Sequence, residues 1–180
     1  MEINGIATLR CWPVAVSLAG STYTIPAKPA LVWILAIHSE SWLSIIPGML
    51  DQSDDRFDRA LDAGLISADE CVSAAQNAIA AASGLPWWAA WRLIGVSIEQ
   101  CGISGSLVLA NIDAEKISLG AYVAAIYRII TKGMDKKELA KIDRTISERP
   151  ADIATDELYD EQTASDAFMN MARARGMKVD

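Results

Sequence analysis

The chain has 180 residues, of which 52% are hydrophobic and 22% charged, enough for a packed core and too apolar for an intrinsically disordered polymer. Its 16 Lys and Arg residues face 23 Asp and Glu, a net charge of −7 that lacks the basic footprint needed to track nucleic-acid phosphates. One histidine and three cysteines leave little material for metal or acid–base chemistry.

Residues 1–29 hold the β-like pattern. Val14, Val16 and Leu18 alternate before Ala19-Gly20-Ser21, and Tyr23 and Ile25 alternate after it, which predicts a hairpin with residues 3–10 as a candidate third strand. Pro26 and Pro29 end this element, and from Ala30 onward the hydrophobic period changes from two to near 3.6. A first helix is predicted over 30–39, a short second one over 42–50 with an interruption at Pro47-Gly48, and a further turn or two over 54–61 before Gly64. Ser67-Ala68-Asp69-Glu70 reads as a capping box, opening a helix whose stripe of Ala68, Cys71, Val72, Ala75, Ile79 and Ala82 ends at Gly84. Pro86 starts the next helix, with Trp87, Trp88, Trp91, Ile94 and Ile98 at helical spacing until Gly102. A short apolar helix follows over 104–111. Ser118 caps another, with Leu119, Tyr122, Val123, Ile126 and Ile130 on one face, and Asp135 with Glu138 opens a charged helix that buries Leu139, Ile142 and Ile146.

The predicted fold is therefore mainly α: a β-hairpin element (1–29) packed on a helical core domain (30–150), followed by an acidic tail (151–180). The tail carries seven acids and three bases, and places Ala164, Ala167, Phe168 and Met171 at helical spacing. Charge is lopsided elsewhere too, because residues 128–149 hold seven bases and four acids while 51–70 hold seven acids and two bases. Such faces suit docking against copies of itself or a partner, with two solvated faces as the plainer account.

No catalytic or cofactor site is expected. His38 ends an apolar helix without a nucleophile pattern beside it, and four Cys and His residues without C-x-x-C spacing exclude a structural zinc site. Asp51-Gln52-Ser53-Asp54-Asp55 opens like a calcium loop, but Arg56 takes the place of the required glycine and Asp62 that of the bidentate glutamate. Gly102-Ile103-Ser104-Gly105 has the spacing of a KH-domain nucleotide clamp, yet no Lys or Arg lies between Arg92 and Lys116, so it reads as a helix–helix connection. Neither a dinucleotide nor an NTP cradle is present. Cys11, Cys71 and Cys101 are odd in number, far apart and in apolar settings, which points to a reducing compartment. The start shows no secretory signal, and Gly84-Leu85-Pro86 splits the one long uncharged stretch, 71–91, so no membrane span is expected. Trp87-Trp88-Ala89-Ala90-Trp91 puts at least two rings in the core or on a partner; core packing is expected, with a loss of about 3–5 kcal/mol for Trp91→Ala.

Several of these segments together resemble the tail assembly chaperones of long-tailed, siphovirus-type bacteriophages, in particular those of actinobacteriophages. Tyr23-Thr24-Ile25-Pro26 with Ala30 and Trp33 resembles the family's β element leading into its first helix, and Ile45-Ile46-Pro47-Gly48-Met49-Leu50 its I-P-G-L turn. Residues 82–94 are similar to its G-R-P-W-W-x-A-x-R-L-I core, with Leu85 at the basic position. Ser118-Leu119-Gly120-Ala121-Tyr122, Met134-Asp135-Lys136-Lys137-Glu138 through Asp143, and Phe168-Met169 in an acidic tail extend the resemblance over roughly residues 20–170. The resemblance implies a non-enzymatic protein without cofactors. It would bind the tape-measure protein in the host cytoplasm, promote tail tube protein polymerisation around it, and be absent from the mature virion. A structural virion component, such as a head–tail connector or tube-associated protein, is the alternative. Leu158, Tyr159, Phe168 and Met171 are the expected partner-binding residues, because an isolated tail helix would expose them. Homo-oligomerisation stays open; nucleic acid and membrane are not expected partners.

Overall fold

Period-two burial and a tight turn produce the hairpin. In the computed structural model, which describes residues 11–38, 41–51 and 55–149, β1 (Val14–Leu18) pairs antiparallel with β2 (Ser21–Ile25) in the register Val14↔Ile25, Val16↔Tyr23, Leu18↔Ser21. Val14, Val16, Leu18, Tyr23 and Ile25 fall on one buried face. The two-residue loop uses Ala19 and Gly20 at φ 48° and 72°, the positive pair whose twist matches that of the strands. The candidate third strand, 3–10, lies outside the described residues.

Helices make up most of the rest: α1 (Ala30–Ile37), a 3-10 turn (Trp42–Ser44), α2 (Ile45–Met49), α3 (Arg56–Asp62), α4 (Ala68–Ser83), α5 (Trp87–Glu99), α6 (Cys101–Leu109), α7 (Leu119–Thr131) and α8 (Lys136–Ser147). The fold is mainly helical with an N-terminal two-stranded hairpin, as the change of period predicts. The described chain clusters into two compact units, one of Pro13–Pro26 and Leu35–Ala78, the other of 11–12, Ala27–Ile34 and 79–149.

In the first unit the hairpin meets α3. Tyr23 and Phe57 pack edge to face with ring centroids 5.9 Å apart, and the Arg56 guanidinium lies 5.6 Å from the Tyr23 ring centre. The Ser67 capping box is complete: the Glu70 amide donates to Ser67 Oγ at 3.2 Å, and the Ser67 amide donates to Glu70 Oε2 at 2.9 Å. Those bonds, with a further one from the Ala19 amide, hold the Glu70 carboxyl below its ordinary range. Pro47 and Gly48 do not interrupt their helix as expected. They lie inside α2 because that helix starts at Ile45, so Pro47 occupies the first turn, where an amide has no intrahelical acceptor to lose.

In the second unit α5, α6 and α7 pack on one another and α8 packs on α5. The first turn of α1 has no acidic residue; its Ala30 and Leu31 amides donate instead to the carbonyls of Ile117 and Ala114 at 2.8 and 2.9 Å. One residue further on, Ser118 caps α7 by accepting from the Ala121 amide at 3.2 Å. Gly120 then allows the start of α7 to approach the end of α4, since a Cβ there would stand 3.2 Å from the Ser83 carbonyl oxygen. Ser97 is buried on α5, donates to the Ile94 carbonyl at 2.7 Å and meets the Tyr122 hydroxyl of α7 at 3.3 Å.

Two expectations about α5 and α6 need correction. The break falls at Gln100, which is extended at φ −106° and ψ 101°, and Gly102 to Gly105 lie within α6. A helical glycine costs only about 1 kcal/mol against alanine, and burial of Ile103 and Leu107 offsets it. Trp91 is not a core residue: 39% of it is exposed against 6% of Trp87. The buried residues of α5 are Trp87, Ala89, Ala90, Leu93, Ile94 and Ser97, so Trp87 and Ile94 of the predicted stripe are buried while Trp91 and Ile98 are exposed. Ala89, Ala90 and Ser97 widen the buried face beside Trp87, Leu93 and Ile94, which leaves the third tryptophan at the rim.

Trp87→Ala should therefore cost about 3–5 kcal/mol in urea denaturation, and Trp91→Ala about 1 kcal/mol or less. Gly95→Ala, with nothing within 4 Å of the added Cβ, should stabilise by up to about 1 kcal/mol. Gly120→Ala should lose that gain and destabilise, since a backbone carbonyl blocks the new methyl.

Candidate partner-binding surface

Leu158, Tyr159, Phe168 and Met171 lie outside the described residues, as does the rest of the tail. His38 is described and exposed, whereas Ser39 and Glu40 beside it lie outside. Of the calcium-like loop, Asp51 and Asp55 are described; the Asp55 carboxylate accepts from Arg59 at 2.6 Å. Among the described residues no three His, Cys, Asp or Glu side chains cluster as metal ligands. No helix among them is long and apolar enough to cross a membrane.

The surface that sequence reading missed is the outer face of α6. This helix buries Ile103 and Leu107, four residues apart, and presents Cys101, Gly102, Ser104, Gly105, Val108 and Leu109 outward. Val108 is 76% and Leu109 90% exposed. No charged residue occurs from 100 to 112, so nothing on this helix keeps a second apolar surface away. Its end is closed by Asn111 at φ 55°, with the Ile112 amide donating to the Leu107 carbonyl at 2.9 Å. On α5, Trp91 and the half-exposed Ile98 share a face seven residues apart. The available signal was the missing charge, read earlier only as evidence against nucleic acid.

Cysteine chemistry differs across the fold. Burial, with the nearby Glu70 charge adding to it, pushes the Cys71 thiol up to about 11, so it is inert as a nucleophile at neutral pH. Cys101 is exposed on α6 rather than set among apolar neighbours.

The last turn of α8 is capped from α5. Arg92 Nη1 donates to the Thr145 carbonyl and, at 2.7 Å, to that of Glu148, while Trp88 Nε1 donates to the Ser147 carbonyl at 3.3 Å. Arg149 places its guanidinium 5.9 Å from the Trp88 ring centre. These donors satisfy carbonyls that a helix C-terminus leaves open, and they give the W-W-x-A-x-R segment a physical role. At the other end Asp135 and Glu138 form the predicted capping box.

Between α7 and α8, the Tyr127 hydroxyl donates to Asp143 Oδ1 at 2.5 Å. Burial first, and that bond second, push the phenol from 10.0 up to about 12, while the same bond pulls the Asp143 carboxyl below its ordinary range.

Searches with protein-family models, against curated proteins and against solved structures find no match to this chain.

A raised phenol contributes stability below pH about 10 that is lost as pH rises through about 12, and a lowered carboxyl contributes stability that is lost as pH falls through the acid range. Tyr127→Phe should therefore remove the alkaline contribution and shrink the acid one, to which the lowered Glu70 carboxyl still adds, leaving the pH profile of the melting temperature flatter than that of the unaltered chain.

Proposed function

We propose that the chain is a tail assembly chaperone of the long-tailed phage type. It binds the tape-measure protein in the host cytoplasm, keeps that long apolar molecule in solution, and lets tail tube subunits polymerise around it, with no catalytic step or cofactor and no place in the mature virion. The observation that carries this function is the bare, uncharged face of α6 on an acidic protein. An amphipathic or apolar helix docks through anchors spaced three, four and seven residues apart. Cys101, Gly105 and Val108 offer a matching row with small side chains in it. The net charge of −7 keeps the free protein soluble while such a face is open. The helix-end segments that resemble those of the phage chaperones support the same function, and the tail residues Leu158, Tyr159, Phe168 and Met171 would add a second contact.

Co-expression with the tape-measure protein of the same phage should keep that protein soluble, and mass spectrometry of purified particles should not find the chain. Maleimide labelling of Cys101 should fall at least about tenfold in the complex, with Cys71 unlabelled throughout. Val108→Glu with Leu109→Glu should abolish the solubilising effect without changing the melting temperature. Abundant chain in purified virions, with no rescue of the tape-measure protein, would establish the structural-component function instead.

A further inference from the structure

We infer that a second copy of this chain docks on the outer face of α6, the two helices running antiparallel about a two-fold axis at Gly105. Among the described residues, Gly102 and Gly105 meet no need of the fold. Neither takes the positive φ at which glycine is favoured, and nothing lies within 4 Å of a Cβ added at either. Each nevertheless weakens a nine-residue helix relative to alanine. What they provide is room for a backbone from outside, beside the two most exposed large apolar side chains among the described residues, Val108 at 76% and Leu109 at 90%.

The order of these residues selects a copy of the same helix as the occupant. Ile103 and Leu107 face the core, and Gly105, two residues from each, faces directly away from it. Cys101 and Gly102 stand four and three residues before Gly105, and Leu109 and Val108 four and three residues after it. A two-fold at Gly105 therefore sets Leu109 of one copy opposite Cys101 of the other and Val108 opposite Gly102, twice over, so that each large side chain meets a small one. Cys101, Gly105 and Leu109 form an i, i+4 ridge, and helices that meet through such ridges cross at about −50°, the commonest angle between packed helices. Electrostatics favours the same face. Two copies that each carry −7 repel one another, and no charge occurs from residue 100 to 112 to bring that repulsion into the contact. A helix of nine residues is about 14 Å long and offers less than the roughly 800 Å² per partner of a stable interface. The pair is therefore weak and in exchange with the single chain. It covers the face assigned above to the tape-measure protein, so pairing shields that face until the tape-measure protein displaces the second copy. The shielding rests on the proposed function; the pairing does not.

Sedimentation velocity of the chain by itself tests the pairing. The weight-average mass should rise toward that of two copies as the concentration goes from about 10 μM to about 1 mM. The rise should grow between about 0.05 and about 0.5 M salt, because screening weakens the repulsion. Gly105→Leu, which meets open space within the chain, should weaken pairing at least about tenfold without lowering the melting temperature. Oxidation with diamide in a Cys11→Ser background reads the register. Leu109→Cys should cross-link to Cys101 of the other copy, and adding Cys101→Ser should abolish the cross-link, since the two copies of residue 109 lie about 12 Å apart. The cross-linked pair should fail to keep the tape-measure protein in solution and should recover on reduction. A chain that stays single at about 1 mM, pairing that weakens with salt and so runs through charges, or undiminished pairing of Gly105→Leu would each overturn the proposal. A cross-linked pair that still keeps the tape-measure protein soluble would overturn the shielding. Failure of the reduced chain to do so would count against the chaperone function, which the sedimentation result does not touch.

Discussion

Short helices have more ends than middles, and that constraint governs this protein. Every α-helix leaves four amides and four carbonyls without intrahelical partners. Here the described helices run from five residues in α2 to sixteen in α4, so a large share of the backbone belongs to an end. The answers differ from helix to helix. Ser67 with Glu70 and Asp135 with Glu138 form reciprocal boxes, Ser118 caps by its hydroxyl, and the carbonyls of Ala114 and Ile117 serve α1. Arg92 and Trp88 reach across from α5 to finish α8.

These end devices also fix tertiary packing. The segment from Ala114 to Gly120 receives the first amides of α1, caps α7 and brings its first turn against the Ser83 carbonyl. On α5, Trp87 fills the core while Trp88 and Arg92 serve a neighbouring helix. At such places residue identity is dictated by the geometry of helix ends. Packing leaves the uncharged side of α6 uncovered among the described residues.

Helix starts and the hairpin were legible from the sequence because each is decided locally. A serine or aspartate three residues before a glutamate satisfies two amides wherever it stands, and alternation across Ala19-Gly20 specifies both the pairing and the buried face of β1 and β2. Which face of a helix is buried is not a local property. The large side chains of α5 suggested a stripe through Trp91, but the packed face runs through Trp87, Ala90, Leu93, Ile94 and Ser97, so Trp91 stays at the rim. Gly102 suggested a stop, yet the break needed only one extended residue at Gln100, and burial of Ile103 and Leu107 carried the helix through both glycines. The bare face of α6 and the capping of α8 by α5 were likewise decided by tertiary structure, since each depends on residues far apart in the chain meeting or failing to meet. Composition, period and caps thus determined the fold class and most helix starts from the sequence by itself, whereas the exposed apolar surface follows from packing, which sets which side of each helix remains uncovered.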